Sequence, residues 1–515
     1  MRILTPVPMH RTTYRMPATR VGRRGQPSLS SMASPPNMLK YAPMHNPLLR
    51  RLFGATIAYT LVGLVGPAVG FVLTPLYVRA LGMAGYGTVD LLQTFANMAY
   101  TAAIIGMPMV LASVYVQRAA ESERADVIAN ALAVVVGWAA LIALGLSLCA
   151  PWLAQLTQRP ATAWLMQIQL LAMPFGVVHG TLVAMLRLRE AVRLTLVLTL
   201  VGVVVTAAVR LTLVVWLGWG IAGMVVAAAA THVVNGIVAL WLTRQWWRGR
   251  VDWATMQLLW RRGLPLVPSN IAVWLLLYED RWLLAGVITP AAQGHYAVAA
   301  LLVSLLALVI DPFRNAWQPL ALTYAERPTA GEFYATSLRI YVAVALLAAM
   351  MMGLWAPELL WLFGGSAAQP AAQLLWPLLL VPLCSGVMTI VGIVPTIRGK
   401  LTILGWSTAA AAVVNTLLNL WLIPHWGAMG AGIATGLAAM VMPSMIWWQA
   451  RRMLTVPYAW GLMAMYVVLA VGAVVLAVWL GADWGVRIGV VLGYGALVGG
   501  YEYRLWRHAR HIPVA

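Results

Sequence analysis

Six charged side chains stand out inside apolar stretches of this chain. They are Glu279, Asp280 and Arg281 in a row, Asp311 with Arg314 further on, and Arg210 upstream. The first five fall within Gly263–Leu322, where two apolar segments flank an uncharged connection around Thr289–Gly294. A charge at membrane depth costs roughly 2.5–3.5 kcal/mol on insertion scales, so such groups face a bundle interior or a wet cavity. An arginine fork pairs bidentately with phosphate oxygens and stays charged at any depth, so Arg281, Arg314 and Arg210 suit an anionic ligand. Arg281 leads, with neutralisation by Asp280 or Asp311 as its alternative. Arg314 follows Pro312, which removes a backbone donor and favours a kink; Arg314 and Arg210 have snorkelling towards an interface as their alternative. Glu279, Asp280 and Asp311 would bind a coupling proton or sodium ion, or balance the arginines. Balance is favoured for the two aspartates. Glu279 has no evident partner and is favoured for coupling.

Other polar groups are weighed against packing. Asn419 becomes the repeat counterpart of Arg210 when Gly223 and Gly432 are aligned, which suggests a polar face in both halves. Trp274, Trp282 and Trp317 could stack on sugar rings, with core or lipid packing as the bland alternative. His179, His232, Asn235, Gln93, Asn97 and Asn415 are expected to bond across to neighbouring helices rather than touch ligand, and His295 to be exposed at a turn. Trp216, Trp219, Trp241, Trp246, Trp247, Trp447 and Trp448 fall at segment ends, as interfacial anchors do. Gly427–Gly436 follows no strand and reads as close helix packing, not a nucleotide loop. No catalytic set stands out: the chain has no HExxH, no Asp-x-Asp pair and no Walker lysine motif. Cys149 and Cys384 suggest neither a disulfide framework nor a metal site. No cofactor is expected.

The elements that must position these groups are membrane helices. Sixty-two per cent of residues are hydrophobic and 9% charged, with mean hydropathy +0.82, against roughly 25% charged in soluble domains. Apolar runs of about 20 residues recur, and the ~10-residue alternation of a β-barrel does not. The expectation is an all-α polytopic membrane protein of about fourteen spans. They fall near 54–78, 89–114, 127–151, 163–185, 194–217, 220–242, 264–288, 296–322, 337–354, 373–394, 401–423, 429–448, 460–480 and 486–501. The +20 net charge gathers in the N-terminal tail and in the even-numbered connections, so nucleic acid is not the expected partner and both termini are expected on the cytoplasmic side. Leu81–Leu92 resembles Gly286–Leu302, and Trp216–Gly223 resembles Pro424–Gly432, at an offset of about 208 residues. That offset predicts two parallel six-helix bundles, 47–250 and 251–452, related by a pseudo-two-fold axis along the membrane normal. Two further helices in 453–503 and a basic tail, 504–515, complete the chain. Residues 1–46 are basic and acid-free, without a secretory h-region. They read as a disordered tail or as translation upstream of a start at Met32, Met38 or Met44; a transit peptide is the third reading.

Several stretches together resemble a known family. They are Leu81–Leu92, Gly263–Ser269 (GLPLVPS), the Asp280–Arg281 pair, Gly294–Tyr296 and Phe313–Pro319 (FRNAWQP). Over about Leu52 to Arg452 the chain is similar to the O-antigen and exopolysaccharide flippases (Wzx type) of the multidrug/oligosaccharidyl-lipid/polysaccharide exporter superfamily. The resemblance implies a bacterial inner-membrane transporter with two bundles around a V-shaped cavity. It would move an undecaprenyl-pyrophosphate-linked oligosaccharide to the periplasmic leaflet by alternating access, alongside membrane lipids and polysaccharide polymerase machinery. Basic cavity residues would hold the pyrophosphate. A multidrug or metabolite antiporter of that superfamily is the alternative. A membrane enzyme of polysaccharide assembly fits less well, because no long outer loop is present.

Overall fold

The structure, a computed structural model, describes residues 47–400 and 402–510; side chains are described from Val65 onward, except at 307–309, 311–312, 315–316, 506 and 508–510. The tail expected at 1–46 lies outside the described residues. Regular structure among the described residues is helical, with no strand. The first part runs α1 (Pro47–Ala103), α2 (Met107–Tyr115), α3 (Glu121–Leu156), α4 (Ala163–Leu188), α5 (Val192–Arg210) and α6 (Gly220–Leu242). The middle runs α7 (Trp253–Gly263), α8 (Leu266–Ala285), α9 (Pro290–Tyr324), α10 (Ala330–Leu354) and α11 (Ala356–Gly364). The last part runs α12 (Ala372–Leu378), α13 (Leu380–Val391), α14 (Ile393–Ile397), α15 (Thr402–Ala450), α16 (Trp460–Trp479) and α17 (Trp484–Arg510).

Two helices are too long for one crossing. At 1.5 Å per residue, the 57 residues of α1 would run about 85 Å, nearly three times a ~30 Å hydrocarbon core. Gly82 divides α1, with φ 68° and ψ 171°, a conformation that side-chain-bearing residues avoid. Gly427 divides the 49 residues of α15 in the same way, with φ 52° and ψ −129°. Among the described residues, nine helices are long and apolar enough to cross a membrane. The Glu279–Arg281 triplet makes α8 more polar than these.

Two local departures from the sequence reading have clear causes. Residues 253–263, read as part of a basic loop, form α7. Asp252 caps it, accepting from the backbone N–H groups of Ala254 (2.9 Å) and Thr255 (3.1 Å). Its apolar Trp253, Met256, Leu259 and Trp260 recur at helical spacing, and Leu259 is buried. The single span expected at 373–394 is instead the broken run α12–α14, interrupted near Pro377, Pro382 and Pro395.

The apolar core falls into two main clusters. One runs from Leu92 in α1 to Val267 in α8. The other joins Val78 and Met83 of α1 to residues from Leu284 to Met463. Lipid is as apolar as leucine, so close packing must hold these helices together. Glycines provide it: a Cβ on Gly236 of α6 would stand 2.7 Å from the Phe175 carbonyl of α4, and one on Gly436 of α15 would stand 2.5 Å from the Pro377 carbonyl of α12. Gly432 also packs on Pro377, so the small-residue run works as packing. At the end of the bundle that carries Gly82 and Pro290, Gly87 of α1 lies directly on the backbone of Pro290 and Gly294, and Gly294 on the Met83 carbonyl.

Candidate functional site

Beside that glycine crossing, α1, α5, α6 and α9 enclose a cavity of ≈ 270 Å³. Tyr77, Tyr86, Asp90 and Gln93 of α1 line it, together with Arg210 of α5 and Ser304 of α9. Tyr86, Asp90 and Gln93 follow helical i, i+4, i+7 spacing, so the helix turns one polar stripe into the space. Arg210 is the last residue of α5, and a π-helical turn, Leu211–Trp216, follows immediately. Such turns re-aim side chains and recur at functional sites. Arg210 Nε is buried and has no hydrogen-bond partner, and Arg210 forms no ion pair among the described residues. A half-buried guanidinium on a cavity wall, with unused donors, is arranged to receive an anion.

Arg281 is arranged differently. Its Nε donates to Asp90 Oδ2 at 3.0 Å and its Nη1 to Asp280 Oδ1 at 3.3 Å. The guanidinium also lies over the rings of Tyr278 (5.4 Å) and Tyr296 (5.7 Å). Asp280 is buried and further held: Oδ1 takes the Arg281 backbone N–H at 2.8 Å, while Oδ2 accepts from the Tyr296 hydroxyl and from Thr435 Oγ1 at 3.5 Å. Although adjacent residues on a helix point about 100° apart, Asp280 and Arg281 do touch. The chief partner of Arg281 is Asp90, which the sequence reading did not single out. Asp90 sits in the Leu81–Leu92 stretch already marked as a repeat, and a carboxylate in an apolar segment was its signal. Gln293 completes this junction, donating to the Arg281 carbonyl at 3.1 Å and accepting from Arg159 Nη2 at 2.6 Å.

Glu279 faces away from the arginines, and it does have partners. Thr416 Oγ1 lies 2.9 and 2.8 Å from its two oxygens, with Asn415 Nδ2 at 3.2 Å and Asn419 Nδ2 at 3.4 Å from Oε1. Thr416 has one hydroxyl hydrogen and is also 3.0 Å from the Ala412 carbonyl, so it cannot serve every oxygen around it. The Oδ1 atoms of Asn415 and Asn419 are buried without a partner among the described residues. An oxygen-rich pocket with no cation in ion-pair range among those residues suits a proton on Glu279 or a small hard cation.

The remaining residues are dispersed. Arg314 is half-buried on α9 and has an interaction partner; it does not line the cavity. The side chain of Asp311 lies outside the described residues. Asn419 is turned to Glu279, not to the cavity. Trp274 and Trp317 are buried, Trp282 packs on Phe95 (5.3 Å), and none of the three lines the cavity. His295 is half-buried, with Nε2 2.8 Å from the Ala367 carbonyl. No group of three metal-ligating side chains occurs among the described residues.

The chain and its fold have relatives. Residues 53–323, more than half of the chain, match the family described as "Polysaccharide biosynthesis protein". No curated protein matches in sequence. Among solved structures, the lipid II flippase MurJ in an inward closed conformation aligns at TM-score 0.68 and 10% identity, over 87% of this chain and 99% of that one. An inward-facing multidrug resistance MATE family transporter of the MOP superfamily aligns at 0.64 and 15% identity, over 77% and 97%. A Vibrio cholerae MATE transporter aligns at 0.54 and 16% identity, over 79% and 98%. At these identities the likeness shows the fold, that of helical membrane transporters. A multi-pass membrane protein with this fold and this family match, the chain belongs to the polysaccharide biosynthesis protein family.

Proposed function

We propose that this protein flips a polyprenyl-pyrophosphate-linked oligosaccharide across the bacterial inner membrane by alternating access, for O-antigen or exopolysaccharide assembly. The observation that carries this reading is Arg210, a cation without an ion-pair partner among the described residues, on a cavity wall between helices. A pyrophosphate head needs such a donor once it leaves water, while the prenyl tail stays in lipid. The family match and the likeness to a lipid II flippase support the substrate class. In this reading the chain makes fourteen crossings with both termini cytoplasmic. The two six-helix halves, 47–250 and 251–452, rock about the cavity and hand the product to polymerase machinery at the outer leaflet. The glycine crossing marks the periplasmic end. Arg281 serves chiefly as the junction between the halves, and Arg314 as a further basic group on the path.

The test is a leaflet assay in a strain lacking the gene. Lipid-linked oligosaccharide is expected to accumulate on the cytoplasmic side, protected from an impermeant probe, and wild type is expected to reverse this. Hydrogen bonds to charged groups contribute about 1.5–3 kcal/mol. Arg210→Ala is therefore expected to lower export by about 10- to 150-fold, with Arg210→Lys intermediate because it keeps charge but loses the fork. Normal delivery without the gene would defeat the reading.

The oxygen-rich pocket at Glu279 supports ion coupling and also favours the second reading, a cation-coupled multidrug or metabolite antiporter. Glu279→Gln keeps the shape and removes the titratable group. It is expected to abolish the dependence of export on a proton or sodium gradient in proteoliposomes; unchanged gradient dependence would assign the pocket to packing alone.

A further inference from the structure

A second polar surface adjoins the Arg210 cavity, built where glycines on one helix admit polar side chains from another. His232 of α6 rests on Gly176 of α4, where a Cβ would stand 2.6 Å from Nδ1. Asn235 of α6 rests on Gly202 of α5, with Nδ2 2.9 Å from such a Cβ, and the Tyr100 hydroxyl of α1 lies against Gly180 of α4. All three side chains are half-buried and turned towards neighbouring helices, so they sit between α1, α4, α5 and α6 and not on the lipid face. These residues do not line the cavity itself, but helical spacing places them on the same helix faces as residues that do. Asn97 and Tyr100 extend the α1 stripe of Asp90 and Gln93, and His232 and Asn235 share a face of α6 with the cavity residue Met224. His232 is within electrostatic range of Arg210, and His179 within range of His232.

Polar groups on this surface have unused capacity. His179 Nε2 and Asn235 Oδ1 are buried without a hydrogen-bond partner among the described residues. Thr206, one turn from Arg210 on α5, commits its hydroxyl proton to the Gly202 carbonyl at 2.6 Å, which leaves its lone pairs to accept. Imidazole, amide, phenol and hydroxyl groups with free donors and acceptors match a ring of hydroxyls. Gly202 lies eight residues before Arg210, about 12 Å along a helix, which is the reach from a pyrophosphate to the first one or two sugar rings.

We propose that this surface is a saccharide subsite: His232, Asn235, Tyr100 and Thr206 hold the first uncharged sugar of the lipid-linked substrate while Arg210 holds its pyrophosphate. The proposal rests on the flippase reading, and its test separates the two. Binding of farnesyl pyrophosphate and of farnesyl-pyrophosphoryl-glucose to the purified full-length protein in nanodiscs is measured by titration calorimetry. The sugar-bearing probe is expected to bind about tenfold tighter, or about 1.4 kcal/mol. His232→Phe and Asn235→Leu are expected to remove that gain while leaving farnesyl pyrophosphate within twofold, and Arg210→Ala to weaken both probes. If neither probe binds wild type, the flippase reading fails. If both bind and the variants keep the full sugar gain, the subsite is overturned and the flippase reading stands. Should the two larger substitutions fail to fold, Thr206→Val, which is nearly isosteric, decides: a several-fold loss of the sugar gain supports the subsite, and an unchanged ratio overturns it.

Discussion

Arg281→Met is expected to leave little folded protein in the membrane. The substitution removes the cation that Asp90 and Asp280 share, and the three side chains are only 11%, 23% and 3% exposed. Breaking a buried ion pair by deleting one partner costs about 3–5 kcal/mol, because the charge left behind has no compensation. Against a typical total stability of about 5–15 kcal/mol, that is a large fraction. The triple variant Asp90→Asn, Asp280→Asn, Arg281→Met leaves no stranded charge and is expected to recover most of the loss, while Asp90→Asn alone keeps one acid beside the arginine and is expected to be mild. Thermal unfolding in detergent, with the monodisperse fraction after extraction, reads all three. A different result would reassign Arg281: if the single variant melts like wild type but exports nothing, its charge serves the substrate and not the junction.

The sequence made the ingredients of that junction visible but not its wiring. Asp280 and Arg281 announce themselves as adjacent charges in an apolar helix. The residue that pairs most closely with Arg281 is Asp90, 191 positions away, and no periodicity within one helix can reveal such a contact. Glu279 looked partnerless for the same reason, since Asn415, Thr416 and Asn419 lie 136 to 140 residues further on. The helices themselves were legible because apolar runs of bilayer length report burial in lipid directly. Where prolines at 377, 382 and 395 break the ladder, the single expected span became three short helices. Two of the tryptophans weighed between sugar stacking and packing lie in the core. Trp274 and Trp317 are large and apolar enough to be used as core, while His179 and Asn235, read as cross-helix bonds, each keep a buried polar atom without a hydrogen-bond partner among the described residues. Residue type alone does not separate these cases; for His232 and Asn235 the glycine opposite each, Gly176 and Gly202, marks where the side chain is admitted.

The two stretches read as a repeat lead to the second large effect. Leu81–Leu92 and Gly286–Leu302 were matched by pattern, and the structure lays them against each other, Gly87 on the backbone of Pro290 and Gly294, and Gly294 on the Met83 carbonyl. Two backbones that close have no room for a methyl group, and backbone cannot move aside as a flexible side chain does. Gly294→Ala must therefore push α9 away from α1. If this end is the gate that seals the cavity in alternating access, the substitution holds it ajar, and a cysteine placed at Ser304 on the cavity wall should become reactive to an impermeant thiol reagent. In a background with Cys149 and Cys384 replaced by alanine, labelling is expected to rise at least about tenfold, a population shift of about 1.4 kcal/mol, while export falls to background. Gly82→Ala is the control. A Cβ there meets nothing within 4 Å, so its effect is backbone strain alone, about 1–3 kcal/mol, and it should lower stability without opening the crossing. Normal export and unchanged labelling in Gly294→Ala would mean that the crossing is static packing. The moving interface would then lie at the opposite end, where Gly263 of α7 lies against the Ile105 carbonyl at the α1–α2 junction.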